Sequence, residues 1–156
     1  MRFFLRNAFP EYRLPGREDM TGEWASFKET VPYAAWGDFD GDGRVDIVLI
    51  LLGRERWRLV EFHQTAGGGF KEVDIERGLP GPRGEFTAGS DPREYHVFVV
   101  PAGRKLIIEG KPVEASTHQF DSVAFFSLKS PENGMHCRWL PDRGFHSTTR
   151  FNDFTD

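Results

Sequence analysis

Residues 38–52 read DFDGDGRVDIVLILL, an acidic loop that runs directly into an apolar segment. Aspartates stand at loop positions 1, 3, 5 and 9, which are Asp38, Asp40, Asp42 and Asp46. Carboxylate oxygens are ligands that Ca²⁺ prefers, and the backbone carbonyl of Arg44 at position 7 is a further oxygen. The glycines at positions 4 and 6 permit tight turns. The stretch therefore predicts a calcium site, with a buried strand immediately after it.

The EF-hand loop is the obvious comparison, but it does not fit this sequence. An EF-hand loop has twelve residues, ends in a bidentate Glu and is flanked by helices. Position 12 here is Leu49, which cannot bind a metal and lies in a β-branched and leucine-rich run typical of a strand. The loop is therefore expected to be closed by its own ninth residue, Asp46.

The segment from Trp36 to Asp46, with the apolar strand after it, resembles the calcium loop of the FG-GAP and VCBS repeat family. That family builds integrin-type propellers. The resemblance covers residues 33–75 and implies that the four loop aspartates supply side-chain ligands. A propeller needs several blades at a repeat of roughly 40 to 50 residues. Because this chain has 156 residues and one copy of the motif, we expect a single-motif protein and not a closed propeller.

Size and composition indicate one domain spanning residues 1–156. This length can bury a core without disulfides or metal, and 15 Phe and 4 Trp supply large apolar side chains. The net charge of −4 is too small and mixed to indicate nucleic acid or a membrane surface as partner. The single cysteine gives no sign of an oxidising compartment. We expect a cytoplasmic protein, although a periplasmic or secreted protein that had lost a leader would look the same.

The residue patterns predict an α+β, β-rich fold with antiparallel meander sheets and one N-terminal helix. Met20, Trp24 and Phe27 lie at i, i+4 and i+7, which predicts a helix over residues 15–30. Short apolar runs separated by glycine-rich turns predict antiparallel strands at Ile47–Leu52, Trp57–His63, Phe70–Ile75, Tyr95–Val100, Lys105–Glu109, Val113–Phe120, Val123–Leu128 and His136–Leu140.

Two features of this pattern bear on how the sheets are arranged. Residues 47–52 carry no polar side chain at either odd or even positions, so this strand should be central and covered on both sides. One side is expected to be covered by the Met20, Trp24 and Phe27 stripe. Residues 78–94 are rich in proline and glycine, which predicts a long surface loop that divides the strands into two groups.

Sequence signals for an enzyme are weak. The five histidines show no His-x-His or His-x-x-x-His spacing, so a transition-metal site is not indicated. His136-Cys137 lies in a predicted strand, which favours a structural cysteine over a nucleophile. An aspartyl-phosphate phosphatase would need an apolar strand before Asp38, and residues 33–37 make a poor one. We therefore expect a protein that is not an enzyme.

The function expected is that of a calcium-binding protein-recognition domain. The resemblance and the small size suggest a bacterial immunity or inhibitor protein that neutralises an effector toxin. The alternative is a calcium-dependent carbohydrate-binding module, or a hydrolase with the Asp loop beside its site. An exposed aromatic row near the loop would favour carbohydrate, whereas a mixed apolar and charged patch would favour a protein. The candidate contacts to a protein partner are Arg83, Glu85, Phe86 and Arg93.

Overall fold

The computed structural model describes residues 2–28, 30–73, 85–86, 91–105, 107–108, 111–112, 119–129, 134–140 and 144–150. This part of the chain contains one α-helix, α1 (Arg2–Ala8), and three short 3-10 helices at Arg17–Asp19, Gly22–Ser26 and Pro92–Glu94. Its strands are β1 (Ala34–Gly37), β2 (Asp46–Leu52), β3 (Trp57–Gln64), β4 (Phe70–Val73), β5 (Glu85–Phe86), β6 (Tyr95–Val100), β7 (Ile107–Ile108), β8 (Lys111–Pro112), β9 (Ser122–Ser127), β10 (Gly134–Leu140) and β11 (Gly144–Arg150).

The strands form two main sheets, and every strand pairing is antiparallel. The first sheet has the order β1-β2-β3-β4, and β5 also pairs with β3. The second sheet has the order β11-β10-β9-β6, whereas β7 and β8 form a separate hairpin. The predicted β-rich α+β class is confirmed, and the described strands close neither a barrel nor a propeller. The predicted division into two strand groups is also seen, because one sheet ends at Phe86 and the other begins at Tyr95.

The helix predicted for residues 15–30 is wrong. This segment forms the first two 3-10 helices, and the α-helix lies at Arg2–Ala8 instead. Gly22 has a φ of 60°, which a right-handed helix cannot accommodate, and Thr21 before it is extended. Trp24 is nevertheless fully buried, and its indole N–H donates to the Tyr95 carbonyl at 2.7 Å. The apolar spacing of this segment therefore reflects burial against a sheet and does not indicate an α-helix.

The strand predictions succeed mainly in the cores of the two sheets. The segments predicted at 47–52, 57–63, 95–100, 123–128 and 136–140 are strands with ends shifted by at most two residues. Residues 34–37, expected to be a poor strand, form β1, and β11 was not predicted at all. In the segment predicted at 105–109, Ile107–Ile108 form a strand and residues 106 and 109 lie outside the described residues; residues 119–120 form a bend. The predictions for residues 74–75 and 113–118 lie outside the described residues.

Strand β2 separates two apolar clusters, as its sequence predicts. Val48 and Ile50 belong to a cluster that lies between the two sheets and includes Trp24, Val97, Phe125 and Cys137. Leu49 and Leu51 point to the opposite face and pack in a second cluster with Leu5, Phe9, Tyr12 and Phe62. One side of β2 is thus covered by Trp24 and the second sheet, and the other side by α1 and the segment after it.

The described part of the chain has no helix that could span a membrane. None of its helices has both the length and the apolar composition that crossing a bilayer requires.

Candidate metal centre

The acidic loop is the connection of the β1–β2 hairpin. Gly37 and Asp46 are the last pair of the β1–β2 ladder, and the chain between them forms the loop. Gly41 and Gly43 both have a φ of 80°, the left-handed conformation that favours glycine. Gly41 also lies against the ring of Phe120, where an added Cβ would stand 2.1 Å from a ring carbon. The loop is therefore shaped by its glycines and packed against the second half of the chain.

Asp38, Asp40 and Asp42 form one possible ligand set. Each offers a carboxylate oxygen within 4.8 Å of the others. Asp38 accepts hydrogen bonds from the backbone N–H groups of Gly41 at 2.8 Å and Gly43 at 3.0 Å. Asp40 accepts from the N–H of Asp42 at 3.0 Å. A carboxylate that accepts one such bond per oxygen keeps further lone pairs, so these contacts orient the carboxylates without exhausting them.

Arg44 contacts the site through its side chain. Its guanidinium forms an ion pair with Asp42 and donates from Nε to the Gln64 carbonyl at 2.9 Å. The backbone N–H of Arg44 donates to Asp42 at 2.8 Å. A positive charge therefore already lies beside one of the carboxylates, and a bound cation would compete with it. None of these contacts uses the backbone carbonyl of Arg44, the atom that the sequence predicts as a ligand.

Asp46, the fourth predicted ligand, is fully buried at the start of β2. Its two carboxylate oxygens accept from the backbone N–H groups of Phe39 and Gln64, each at 3.0 Å. Burial raises the pKa of Asp46, although these hydrogen bonds act in the opposite direction. Asp46 joins a second possible ligand set, Asp40, Asp46 and His63, whose ligand atoms also lie within 4.8 Å of one another. Asp40 is common to both sets.

His63 was not identified from the sequence, yet it lies between two carboxylates. Its Nδ1 is 3.3 Å from Asp40 Oδ2, and its Nε2 is 2.8 Å from Glu61 Oε1. Burial of Glu61 raises its pKa to about 8. Burial lowers the pKa of His63, but the hydrogen bond to Glu61 and the charges of the three carboxylates outweigh it, so the net shift is upward. The sequence signal was the pair Glu61 and His63, two residues apart and therefore on one face of a predicted strand.

Asp121 holds the acidic loop from the other half of the chain. Its Oδ2 accepts from the N–H of Asp38 at 3.2 Å, and its Oδ1 accepts from the N–H of Ala102 at 2.9 Å. The same side chain thus joins the start of the loop to the turn after β6. The structural role of Asp121 was not predicted, because nothing local in the sequence places residues 38 and 102 together.

The predicted partner contacts that the structure describes, Glu85, Phe86 and Arg93, lie in different elements. Arg83 lies outside the described residues. Glu85 and Phe86 form β5, which pairs with Arg58 and Trp57 of β3, so this part of the predicted surface loop is a strand. Arg93 is held within the chain, because its guanidinium donates to both oxygens of Asp91 and to the Thr21 hydroxyl. These contacts tie the third 3-10 helix to the start of the second.

Two apolar side chains flank the acidic loop on the surface. Trp36 is 50% exposed and Val45 is 53% exposed, and they are the exposed large apolar residues of the described chain. Trp36 pairs with Ile47 across the β1–β2 ladder, and Val45 lies two residues before Ile47. Val45 itself precedes Asp46, the first residue of β2. Trp36 and Val45 are thus two exposed apolar side chains that are close in sequence to the loop carboxylates.

His136 and Cys137 lie on opposite faces of β10, as alternation along a strand requires. Cys137 is 1% exposed in the cluster between the sheets, whereas His136 Nε2 is 2.8 Å from the Ser122 hydroxyl. The interpretation of Cys137 as a structural residue agrees with this placement.

Comparisons with models of known families, with curated proteins and with solved structures found no match to this chain. The likeness to the FG-GAP and VCBS loop therefore rests on the motif itself.

Proposed function

We propose that this protein is a non-catalytic recognition domain whose 38–46 loop binds one Ca²⁺ ion. The observation that carries the proposal is the approach of Asp38, Asp40 and Asp42 to within 4.8 Å on a single loop. Carboxylates this close repel one another, and a divalent cation relieves that repulsion. Arg44 offsets the charge of Asp42. Asp38 is instead stabilised by backbone N–H groups, and Asp40 lies beside His63.

The ligand chemistry favours calcium over magnesium. Ca²⁺ accepts six to eight oxygens in flexible geometry, whereas Mg²⁺ requires a near-ideal octahedron. An irregular loop with carboxylates of differing exposure suits the former. The proposed ligands are the side chains of Asp38, Asp40, Asp42 and Asp46 and the carbonyl of Arg44, with water completing the shell.

The proposed recognition partner is a protein, and the proposed class is an immunity or inhibitor protein that acts on an effector toxin. The class rests on the resemblance and on size, not on a contact. The support in the structure is the apolar pair Trp36 and Val45 beside the charged loop, since a mixed apolar and charged patch is typical of protein interfaces. The candidate contacts to the partner remain Arg83, Glu85, Phe86 and Arg93. The guanidinium of Arg93 is also paired with Asp91 in the structure.

Isothermal titration of chelator-treated protein with CaCl₂ tests the cation site. We expect one site in the wild type and its loss in Asp42→Asn, which removes one ligand charge. Glu55→Gln is the matched control, because Glu55 is an exposed acid in the β2–β3 turn. A titration without heat, together with an unchanged melting temperature, would exclude the calcium site.

A separate experiment tests recognition. The wild type and a Trp36→Ala/Val45→Ser double variant are immobilised and exposed to lysate of the native host and to a glycan array. Retention of a protein that the double variant loses supports the proposal. Binding of a glycan through Trp36 would instead establish the carbohydrate-binding alternative, and turnover of an ester, phosphoester or glycoside that is lost in Asp38→Asn would establish a hydrolase.

A further inference from the structure

A second group of metal-ligating atoms lies on the inner side of the acidic loop. Asp46, Glu61 and His63 are all buried and belong to β2 and β3, the central strands of the first sheet. Asp40 reaches them from the loop, with a side chain that is 17% exposed. On the other side the His63 ring lies 4.9 Å from the ring of Trp139 on β10. The group therefore occupies the loop end of the space between the two sheets.

Acidic side chains outnumber basic ones in this group. Asp40, Asp46 and Glu61 are three carboxyl groups, and His63 is the basic side chain that contacts two of them. Asp46 is stabilised by two backbone N–H groups. Glu61 Oε1 is hydrogen-bonded to His63. The other oxygen, Oε2, is buried and has no hydrogen-bond partner among the described residues. A buried polar atom without a partner is unfavourable, and it marks a polar group whose partner is missing.

The contact between His63 and Asp40 has a length that suits two ligands of one metal ion better than a direct ion pair. The 3.3 Å between His63 Nδ1 and Asp40 Oδ2 is long for a charge-assisted hydrogen bond, which is about 2.7 to 2.9 Å. Two neighbouring ligands of tetrahedral zinc, each about 2.0 to 2.1 Å from the ion, stand about 3.4 Å apart. The 2.8 Å contact from His63 Nε2 to Glu61 matches the arrangement in which a carboxylate orients a metal-binding imidazole through its other nitrogen.

We propose that Asp40, Asp46 and His63 bind one Zn²⁺ ion, with Glu61 orienting His63. Imidazole nitrogen suits zinc and other first-row metals, whereas calcium and magnesium prefer an all-oxygen shell. Three protein ligands leave a fourth position for water. The partial exposure of Asp40 gives the ion a route from solvent. This site differs from the proposed calcium site in its use of His63, although Asp40 and Asp46 belong to both proposed ligand sets.

The test uses the full chain, stripped with chelator and titrated with ZnCl₂ by calorimetry in the absence of calcium. Co²⁺ is the spectroscopic probe, because its visible absorption reports a tetrahedral nitrogen and oxygen shell. The wild type is expected to bind one Zn²⁺ and to develop the Co²⁺ bands. His63→Gln should weaken zinc binding at least 10-fold and abolish the bands, and Glu61→Gln should weaken it by about 10- to 100-fold.

Two control variants distinguish this site from zinc binding elsewhere on the protein. His96→Gln removes a half-buried histidine outside the group and should leave zinc binding unchanged. Asp42→Asn alters the set Asp38, Asp40 and Asp42 but none of the proposed zinc ligands, so this variant should lose calcium binding and retain zinc binding. The proposal is overturned if the wild type takes up no zinc and shows no Co²⁺ bands, or if folded His63→Gln binds zinc as tightly as the wild type. Should His63→Gln fail to fold, Glu61→Gln decides, because an affinity equal to that of the wild type contradicts the site.

Discussion

The Asp121 carboxylate accepts a hydrogen bond from the backbone N–H of Asp38 at 3.2 Å, although the residues are 83 positions apart. Its other oxygen accepts from Ala102, so one side chain fixes the loop relative to the second sheet. Asp121→Ala removes both bonds and should lower the unfolding free energy by about 1 to 3 kcal/mol. It should also weaken calcium binding, because the position of Asp38 is no longer fixed. Urea unfolding with and without CaCl₂ measures both effects, with Glu55→Ala as control.

Removal of metal should leave the protein folded. The two apolar clusters on either side of β2 are built from residues outside the loop, apart from Phe39. We expect far-ultraviolet circular dichroism in excess chelator to retain the strand signal. Calcium at a hundred times its dissociation constant should add about 2.7 kcal/mol of stability, seen as a higher melting temperature. A random-coil spectrum in chelator would show that the clusters do not suffice.

The loop glycines offer a matched pair of substitutions. Gly41 and Gly43 share a φ of 80°, but a Cβ at Gly41 would meet the Phe120 ring, whereas a Cβ at Gly43 would meet nothing within 4 Å. Gly43→Ala should therefore destabilise the protein by the backbone term alone, about 1 to 2 kcal/mol. Gly41→Ala should lose more, because the ring must also move. Equal losses in urea unfolding would show that the contact with Phe120 is unimportant.

His96 should make the protein less stable in mild acid. Burial lowers its pKa below the ordinary 6.5, and the rings of Phe27, Phe98 and Phe126 surround it. The unfolded chain therefore takes up a proton at His96 before the folded chain does. Stability from this residue is complete above pH 6.5 and is lost as pH falls through the lowered pKa. His96→Phe should reduce the fall in unfolding free energy between about pH 7 and 5, measured in urea at each pH.

The sequence predicted the parts of the fold that depend on local pattern. Residues 47–52 could be predicted as a strand buried on both faces, because the sequence itself shows that both faces are apolar. The helix at 15–30 was mispredicted because burial of Met20 and Trp24 against a sheet gives the same spacing as a helix. Strand β1 was missed because its short, alanine-containing sequence becomes a strand through pairing with β2.

The candidate site divides in the same way. Asp38, Asp40 and Asp42 are near in sequence, so their approach could be predicted from spacing. His63 and Glu61 reach Asp46 only through the β2–β3 pairing, and Asp121 reaches Asp38 only through the packing of the two halves. Such contacts depend on tertiary structure and leave little trace in a single sequence.

The two-sided burial of β2 has a consequence for folding specificity. In most strands a slip of one residue exposes apolar side chains, and this penalty fixes the alignment. Residues 47–52 gain no such protection, because either alignment places aliphatic side chains in both clusters. Asp46 breaks this degeneracy, since its carboxylate oxygens meet the N–H groups of Phe39 and Gln64 in one alignment. The last aspartate of the acidic loop thereby fixes the pairing register of a strand whose apolar residues alone would leave it undetermined.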